Sequence, residues 1–229
     1  MWRRLAKRCT TAGFRRALRN LQLETIGLVR HERGIRAARR YYSRDNLRLN
    51  LGCGPNTKSG WLNIDYSGAV DLTLDLRERL PFRSGSCTMI YTEHFLEHLD
   101  YPDDALPLLS ECFRVLAVGG IIRIGVPDTQ WPLLEYAKVR DEGYFEHVKV
   151  RWHPSWCHTE MEHINFHFRQ GNQHRFAYDY DTLASALAKA GFVNVERREF
   201  DPEIDSKERA LGTLYVEASK PPSAEIRSD

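Results

Sequence analysis

Apolar residues fall at every second position in Leu47-Arg48-Leu49-Asn50-Leu51, and the alternation stops abruptly at Gly52-Cys53-Gly54. Period-two alternation predicts a strand with one buried face, and two glycines directly after it predict a sharp turn that a ligand can approach closely. Trp61-Leu62-Asn63-Ile64-Asp65 reads as a second strand ending in a carboxylate. Further strand-like runs cover 70–76, Cys87 to Thr92, Ile121 to Val126, Phe192 to Phe200 and Gly212 to Ala218. Helical spacing separates them. Asp104 to Leu116 carries Leu108, Leu109, Cys112, Phe113 and Leu116 on one side, and Trp131 to about Val139 forms another helix. Asp179 or Asp181 caps a third, which carries Leu183, Ala184 and Leu187 and is closed by Gly191. Strands alternating with helices predict an α/β domain with a mostly parallel sheet.

Ahead of the first strand, Phe14, Leu18 and Leu21 and then Ile35, Ala38 and Tyr42 recur at helical spacing among arginines, which predicts an extension that is helical in pieces. The chain divides into this extension (1–46), a main domain (47–220) with an irregular His- and aromatic-rich insertion at about 141–176, and a polar tail (221–229). Overall charge is +2, but residues 1–48 hold thirteen Arg and one Lys against three acids, so a basic head precedes an acidic body. The head could cap the body, lie on an anionic membrane through residues 1–40, or serve as an Arg-rich targeting segment. No apolar run approaches the roughly 18–20 residues that would span a bilayer. Five scattered cysteines (9, 53, 87, 112, 157) form no paired framework and favour a reducing, cytoplasmic compartment, with or without peripheral membrane association.

The spacing of the glycine turn bears on its ligand. A dinucleotide fingerprint needs a third glycine, a helix N-terminus for the pyrophosphate and an acid about 20 residues on. Here Thr57 replaces that glycine and Asp65 lies only 13 residues beyond Gly52, which leaves little room for a helix. S-adenosylmethionine carries no phosphate, so a glycine turn and one acid suffice for it.

Taken with four more motifs, the chain resembles class I S-adenosylmethionine-dependent methyltransferases of the type 11 group. Leu51-Gly52-Cys53-Gly54-Pro55 is similar to that family's first motif and Asn63-Ile64-Asp65 to its second. Leu80-Pro81-Phe82, Phe95-Leu96-Glu97-His98-Leu99 and Arg114-Val115-Leu116-Ala117-Val118-Gly119-Gly120 follow in its order. The resemblance covers roughly Leu47 to Ala218. It implies a Rossmann-like seven-stranded sheet whose last strand is antiparallel, with Asn50, Gly52 and Gly54 at the amino acid end of the cofactor. It further implies Asp65 at the ribose, Asp75 and Leu76 at the adenine and Thr92 beside the sulfonium. Asn50 stands where many members have an acid, and Asn56 where many have a third glycine.

Methyl transfer from a sulfonium requires a positioned acceptor, and a base only where the acceptor must lose a proton. His98, Asp128 and His174 are the catalytic candidates, with His158 also weighed. His153, Cys157, His158, His163 and His167 invite a metal reading, but their spacing matches no established zinc pattern, so no metal is expected. The aromatic neighbours Trp152, Trp156, Phe166 and Phe168 suit a substrate lid. The leading expectation is methylation of a small-molecule, sugar or lipid-linked acceptor, at oxygen, without a nucleic acid partner. A catalytically silent protein of the same fold is the alternative, and a nicotinamide oxidoreductase is a more distant one.

Overall fold

The structure, a computed structural model, describes residues 10–222. The first nine residues, with Cys9, and the tail from residue 223 lie outside them. Seven strands form one sheet: β1 (Leu47–Leu51), β2 (Leu62–Asp65), β3 (Leu72–Thr73), β4 (Cys87–Glu93), β5 (Leu116–Pro127), β6 (Val193–Arg198) and β7 (Thr213–Ser219). Their order is β3-β2-β1-β4-β5-β7-β6, and only β7 runs antiparallel to its neighbours. This is the expected Rossmann-like sheet with its reversed last strand. Because β1 and β4 are parallel neighbours, with Leu51 opposite Thr92, the turns that leave their carboxyl ends lie side by side. That edge is where open parallel sheets bind ligands.

The core is built from inward strand residues such as Leu49, Leu51, Ile64, Ile90, Ile122, Ile124 and Val216. Helix α2 (Ala105–Val115) buries Leu108, Leu109, Cys112 and Val115 against it. Three short helices follow β5, namely α3 (Gln130–Tyr136), α4 (Tyr144–Arg151) and α5 (Glu160–Arg169), and α6 (Tyr180–Lys189) precedes β6. Asp179 caps α6 by accepting from Thr182 N at 2.9 Å, and Gly191 after it has φ +97°.

Several elements differ from the sequence reading. The head is one helix, α1 (Ala12–Ala38), and its buried residues are Gly27, Gly34 and Ala38. Glycines seven apart share a helix face, and here that face meets the body: a Cβ at Gly34 would lie 2.0 Å from the Thr73 carbonyl oxygen, and one at Gly27 1.8 Å from Tyr66 Oη. Phe14, Leu18 and Leu21 stay largely exposed against the described residues, at 57, 57 and 65%. The third strand shrinks to Leu72–Thr73, because beyond it the chain turns to meet α1. The fifth strand begins at Leu116, before the Gly119-Gly120 pair. The insertion is not irregular: α4 and α5 pack Tyr144, Phe145, Val148 and Ile164 into a small core of their own.

The long loop between β6 and β7 is tied down by one buried side chain. Arg123 of β5, 2% exposed, binds Asp205 through Nε at 2.9 Å and through Nη2, and binds Glu217 at 3.0 Å and the Glu199 carbonyl at 2.8 Å. These bonds hold the loop across the carboxyl end of β4.

Candidate active site

The glycine turn after β1 is left-handed at both glycines, with φ +63° at Gly52 and +52° at Gly54. A Cβ costs about 1–2 kcal/mol in that region, so glycine is the natural occupant. The two positions otherwise differ. A Cβ at Gly52 would meet the Phe95 ring at 2.1 Å, whereas one at Gly54 would meet nothing within 4 Å. Gly52 is therefore closed over by protein and Gly54 is open to a ligand. Asp65 at the end of β2 accepts from Gly54 N at 2.9 Å through Oδ2 and from Ser67 N at 3.2 Å through Oδ1, and each oxygen keeps a lone pair for a further donor. An open backbone turn beside a part-exposed carboxylate fits a ligand that carries ribose hydroxyls and an amino acid end.

Asn50 has a different place from the one expected. It is 1% exposed and lies beneath the turn, where its Nδ2 donates to Asn56 O at 3.0 Å and Asn63 Oδ1 at 2.9 Å. It braces the turn from below. Thr92 is the next-to-last residue of β4 and is buried, and its Oγ1 has no hydrogen-bond partner among the described residues.

Beyond β3, α1 crosses the segment that holds Asp75 and Leu76. Leu76 is buried, and Asp75 N donates to His31 Nδ1 at 3.1 Å. The Asp75 carboxylate is gripped by Arg77, which also reaches Glu24 on α1. Burial pushes the Asp75 pKa up, but the bonds and charge of Arg77 outweigh it and hold the carboxyl below its usual range.

A cleft of about 540 Å³ opens beyond the carboxyl end of β4. One wall comes from the segment just after β4: His94, then a single 3₁₀ turn carrying Glu97 and His98. The opposite wall is aromatic, with Trp131, Tyr144, Trp152 and Phe166 supplied by α3, the insertion helices and the chain between them. His174 and Arg209 complete it. Arg209 comes from the tied loop, donates to Glu93 O at 2.8 Å and stands 3.5 Å from Glu93 Oε2. Glu93 Oε1 in turn accepts from Ser206 N at 3.1 Å and Tyr215 Oη at 3.0 Å.

Glu97 is 2% exposed and, among the described residues, neither of its carboxyl oxygens has a hydrogen-bond partner. Burial pushes its pKa up to about 8. His94 Nδ1 and His98 Nε2 stand 3.8 and 3.9 Å from its Oε1. The tautomers follow from the outer partners. His98 Nδ1–H donates to Gln173 O at 3.0 Å and His174 Nδ1–H to His167 O at 2.8 Å, which leaves Nε2 of both rings as lone pairs. Thr213 Oγ1 donates to Arg209 O, so at 2.7 Å it accepts from His94 Nε2–H and leaves the His94 Nδ1 lone pair toward Glu97. Burial, and then the charge of Arg209, drives His94 down to about 3, and burial also lowers His174.

Of the three catalytic candidates, the structure brings together His98 and His174, whose rings meet edge to face at 5.1 Å. Asp128 is elsewhere. It borders a neighbouring hollow, where Arg197 holds its Oδ2 at 2.7 Å and Gln130 N donates to its Oδ1 at 3.0 Å. An Asp that leads into a helix is readily taken up by such local bonds. Of the residues weighed for a metal in the insertion, His153, Cys157 and His163 place donor atoms within 4.8 Å of one another, while His167 bonds Tyr144 at 3.0 Å. Sequence reasoning missed His94, Glu97 and Arg209. The spacing His94-x-x-Glu97-His98 around Phe95 was the available signal for the first two.

A family model described as "Methyltransferase domain" matches residues 9–124, just over half of the chain. No curated protein matches it. Among solved structures, one from Archaeoglobus fulgidus, a SAM-dependent methyltransferase, is 16% identical, with 86% of this chain and 94% of that one covered at TM-score 0.47. A protein from Bordetella parapertussis, described as a possible exported protein, is 14% identical, with 84 and 67% covered at TM-score 0.48. Phosphoethanolamine N-methyltransferase 2 of Haemonchus contortus, solved with S-adenosyl-L-methionine, is 14% identical, with 83 and 53% covered at TM-score 0.43. The chain thus spans about half the length of the Haemonchus protein.

Proposed function

We propose, because the chain belongs to the methyltransferase-domain family and its methyl donor is S-adenosylmethionine, that the acceptor binds in the aromatic and histidine-lined cleft and is methylated at oxygen. The observation that carries this reading is the convergence of Glu97, His98 and His174 at the cleft. When bound, the donor supplies a methyl carbon on a positively charged sulfur, which takes back the electron pair of the S–CH3 bond as the acceptor's lone pair attacks in line. The Gly52–Gly54 backbone and Asp65 hold the donor's amino acid and ribose ends, and Asp75 and Leu76 border its adenine. Thr92 stands at the carboxyl end of the strand between donor and acceptor.

An acceptor that must lose a proton needs basic groups at the reacting atom, and a hydroxyl is such an acceptor. Trp131, Tyr144, Trp152 and Phe166 offer apolar faces, and Trp131 Nε1 is a buried donor with no partner among the described residues. That combination suits a small molecule, sugar or lipid-linked glycan with an apolar face and polar edges. Incubation with methyl-labelled donor and a panel of sugars, lipid-linked glycans, phenols and amines, with product analysis by NMR, tests the reading. A new O–CH3 group supports it, whereas transfer to nitrogen alone overturns the oxygen assignment.

On the described part of the head, exposed Phe14, Leu18 and Leu21 alternate with Arg15, Arg16 and Arg19, which supports peripheral contact with anionic lipid. No helix among the described residues is long and apolar enough to cross a membrane. Sedimentation with anionic vesicles at low and high salt tests the contact. Binding that survives high salt would remove the electrostatic part of the argument.

A further inference from the structure

Glu97 presents a carboxyl group with 2% exposure and, among the described residues, no hydrogen bond to either oxygen, at the wall of the cleft. Buried polar groups in proteins are almost always paired, and an unpaired one calls for a missing partner. The donors around it share one feature. His98 and His174 each have Nδ1–H tied to a main-chain carbonyl, of Gln173 and His167, and each is left with a free Nε2 lone pair. Tying one ring nitrogen to an outer acceptor is how metal-binding imidazoles are oriented. One donor atom from each of Glu97, His98 and His174 lies within 4.8 Å of the other two. His94 brings a third ring nitrogen to 3.8 Å from Glu97 Oε1, with its own far nitrogen held by Thr213.

We propose that Glu97, His98 and His174 form a binding site for a divalent transition-metal ion, on which the acceptor hydroxyl takes an open position. Two imidazoles and a carboxylate suit manganese, iron, cobalt or zinc, whereas magnesium and calcium favour all-oxygen sets. Three protein ligands leave coordination positions for a substrate. The proposal rests on the cleft being the acceptor site and gives its histidines the role of ligands. A hydroxyl bound to the cation is acidified and loses its proton to water at the mouth of the cleft. The alkoxide pair then forms the O–CH3 bond while the S–CH3 bond breaks and its electrons return to sulfur. The cation keeps its charge, and no oxidant or reductant enters.

The His153–Cys157–His163 cluster is the natural control. Its two imidazoles satisfy each other through Nδ1 atoms 2.9 Å apart, and its thiol favours softer ions than manganese.

The test uses the full chain, freed of metal by chelator and titrated with Mn2+ by calorimetry and electron paramagnetic resonance. Wild type takes up one equivalent. Glu97→Gln and His174→Ala each weaken uptake by more than about 100-fold, beyond the roughly 10–100-fold that losing an outer-shell partner costs. Cys157→Ser leaves it unchanged. S-adenosylhomocysteine titrated into the same samples binds alike in all of them, which shows that the variants are folded. Absence of stoichiometric Mn2+ in a wild type that binds S-adenosylhomocysteine overturns the cation site and leaves the methyltransferase reading standing. Folded variants that hold Mn2+ as tightly as wild type, or loss of uptake on Cys157→Ser alone, overturn it equally.

Discussion

The Phe95 ring lies so close over Gly52 that a Cβ on that glycine would sit 2.1 Å from the ring's Cγ. The residue that closes one side of the glycine turn is thus flanked in sequence by His94 and by the 3₁₀ turn bearing Glu97 and His98, which form a wall of the cleft. The glycine turn and this wall of the cleft meet on one short segment. A displacement at Gly52 therefore reaches both.

The two glycines should respond differently to alanine. Gly52→Ala meets left-handed strain of about 1–2 kcal/mol and overpacking of about 1–3 kcal/mol, and should destabilise the fold by roughly 2–5 kcal/mol in urea melts. Gly54→Ala has open space around it and should cost only about 1–2 kcal/mol, yet lower the affinity for S-adenosylhomocysteine. Undiminished affinity in Gly54→Ala would show that this position does not face the cofactor.

Arg123 is bonded to a fully buried carboxylate, Asp205. Removing one member of such a pair leaves an uncompensated charge and typically costs about 3–5 kcal/mol. Arg123→Met should show that loss in denaturant melts, and the double variant Arg123→Met/Asp205→Leu should recover most of it. A single variant as stable as wild type would mean that the loop is held by its remaining contacts.

Helix α1 offers a test by sign. Glycine to alanine inside a helix ordinarily gains about 1 kcal/mol. At Gly34 the added methyl would stand 2.0 Å from the Thr73 carbonyl, a backbone atom that cannot swing aside, so Gly34→Ala should destabilise by about 1–3 kcal/mol. A stabilised Gly34→Ala would show that α1 is not docked on β3.

The parts of the fold legible in the sequence are those set by local pattern. Leu47, Leu49 and Leu51 fix the first strand and Asp65 ends the second. Asp179 caps its helix with a bond that its own sequence neighbourhood supplies. What was not legible depends on contacts between distant residues. The apolar residues of the head suggested a covering stripe, but the helix docks through Gly27 and Gly34, which have no hydrophobic signal at all. The insertion concealed α5, although Thr159 and Glu162 form a capping box that marks its start. Glu97 stands in the sequence only as part of its motif with His98, and only the fold reveals that its oxygens have no partner among the described residues. Asp128 is a catalytic candidate by sequence, but Arg197, brought from β6, holds its carboxylate.

The central claim is that the Gly52–Gly54 turn and Asp65 hold the methyl donor. Calorimetric titration of S-adenosylhomocysteine and of NAD into wild type and Asp65→Ala tests it most directly. S-adenosylhomocysteine should bind wild type and NAD should not, because the connection from Gly52 to Leu62 holds no helix for a pyrophosphate. Asp65→Ala should lose about 1.5–3 kcal/mol of binding, the range for hydrogen bonds to a charged group. Tight binding of NAD, or an Asp65→Ala protein that binds S-adenosylhomocysteine as strongly as wild type, would contradict the account.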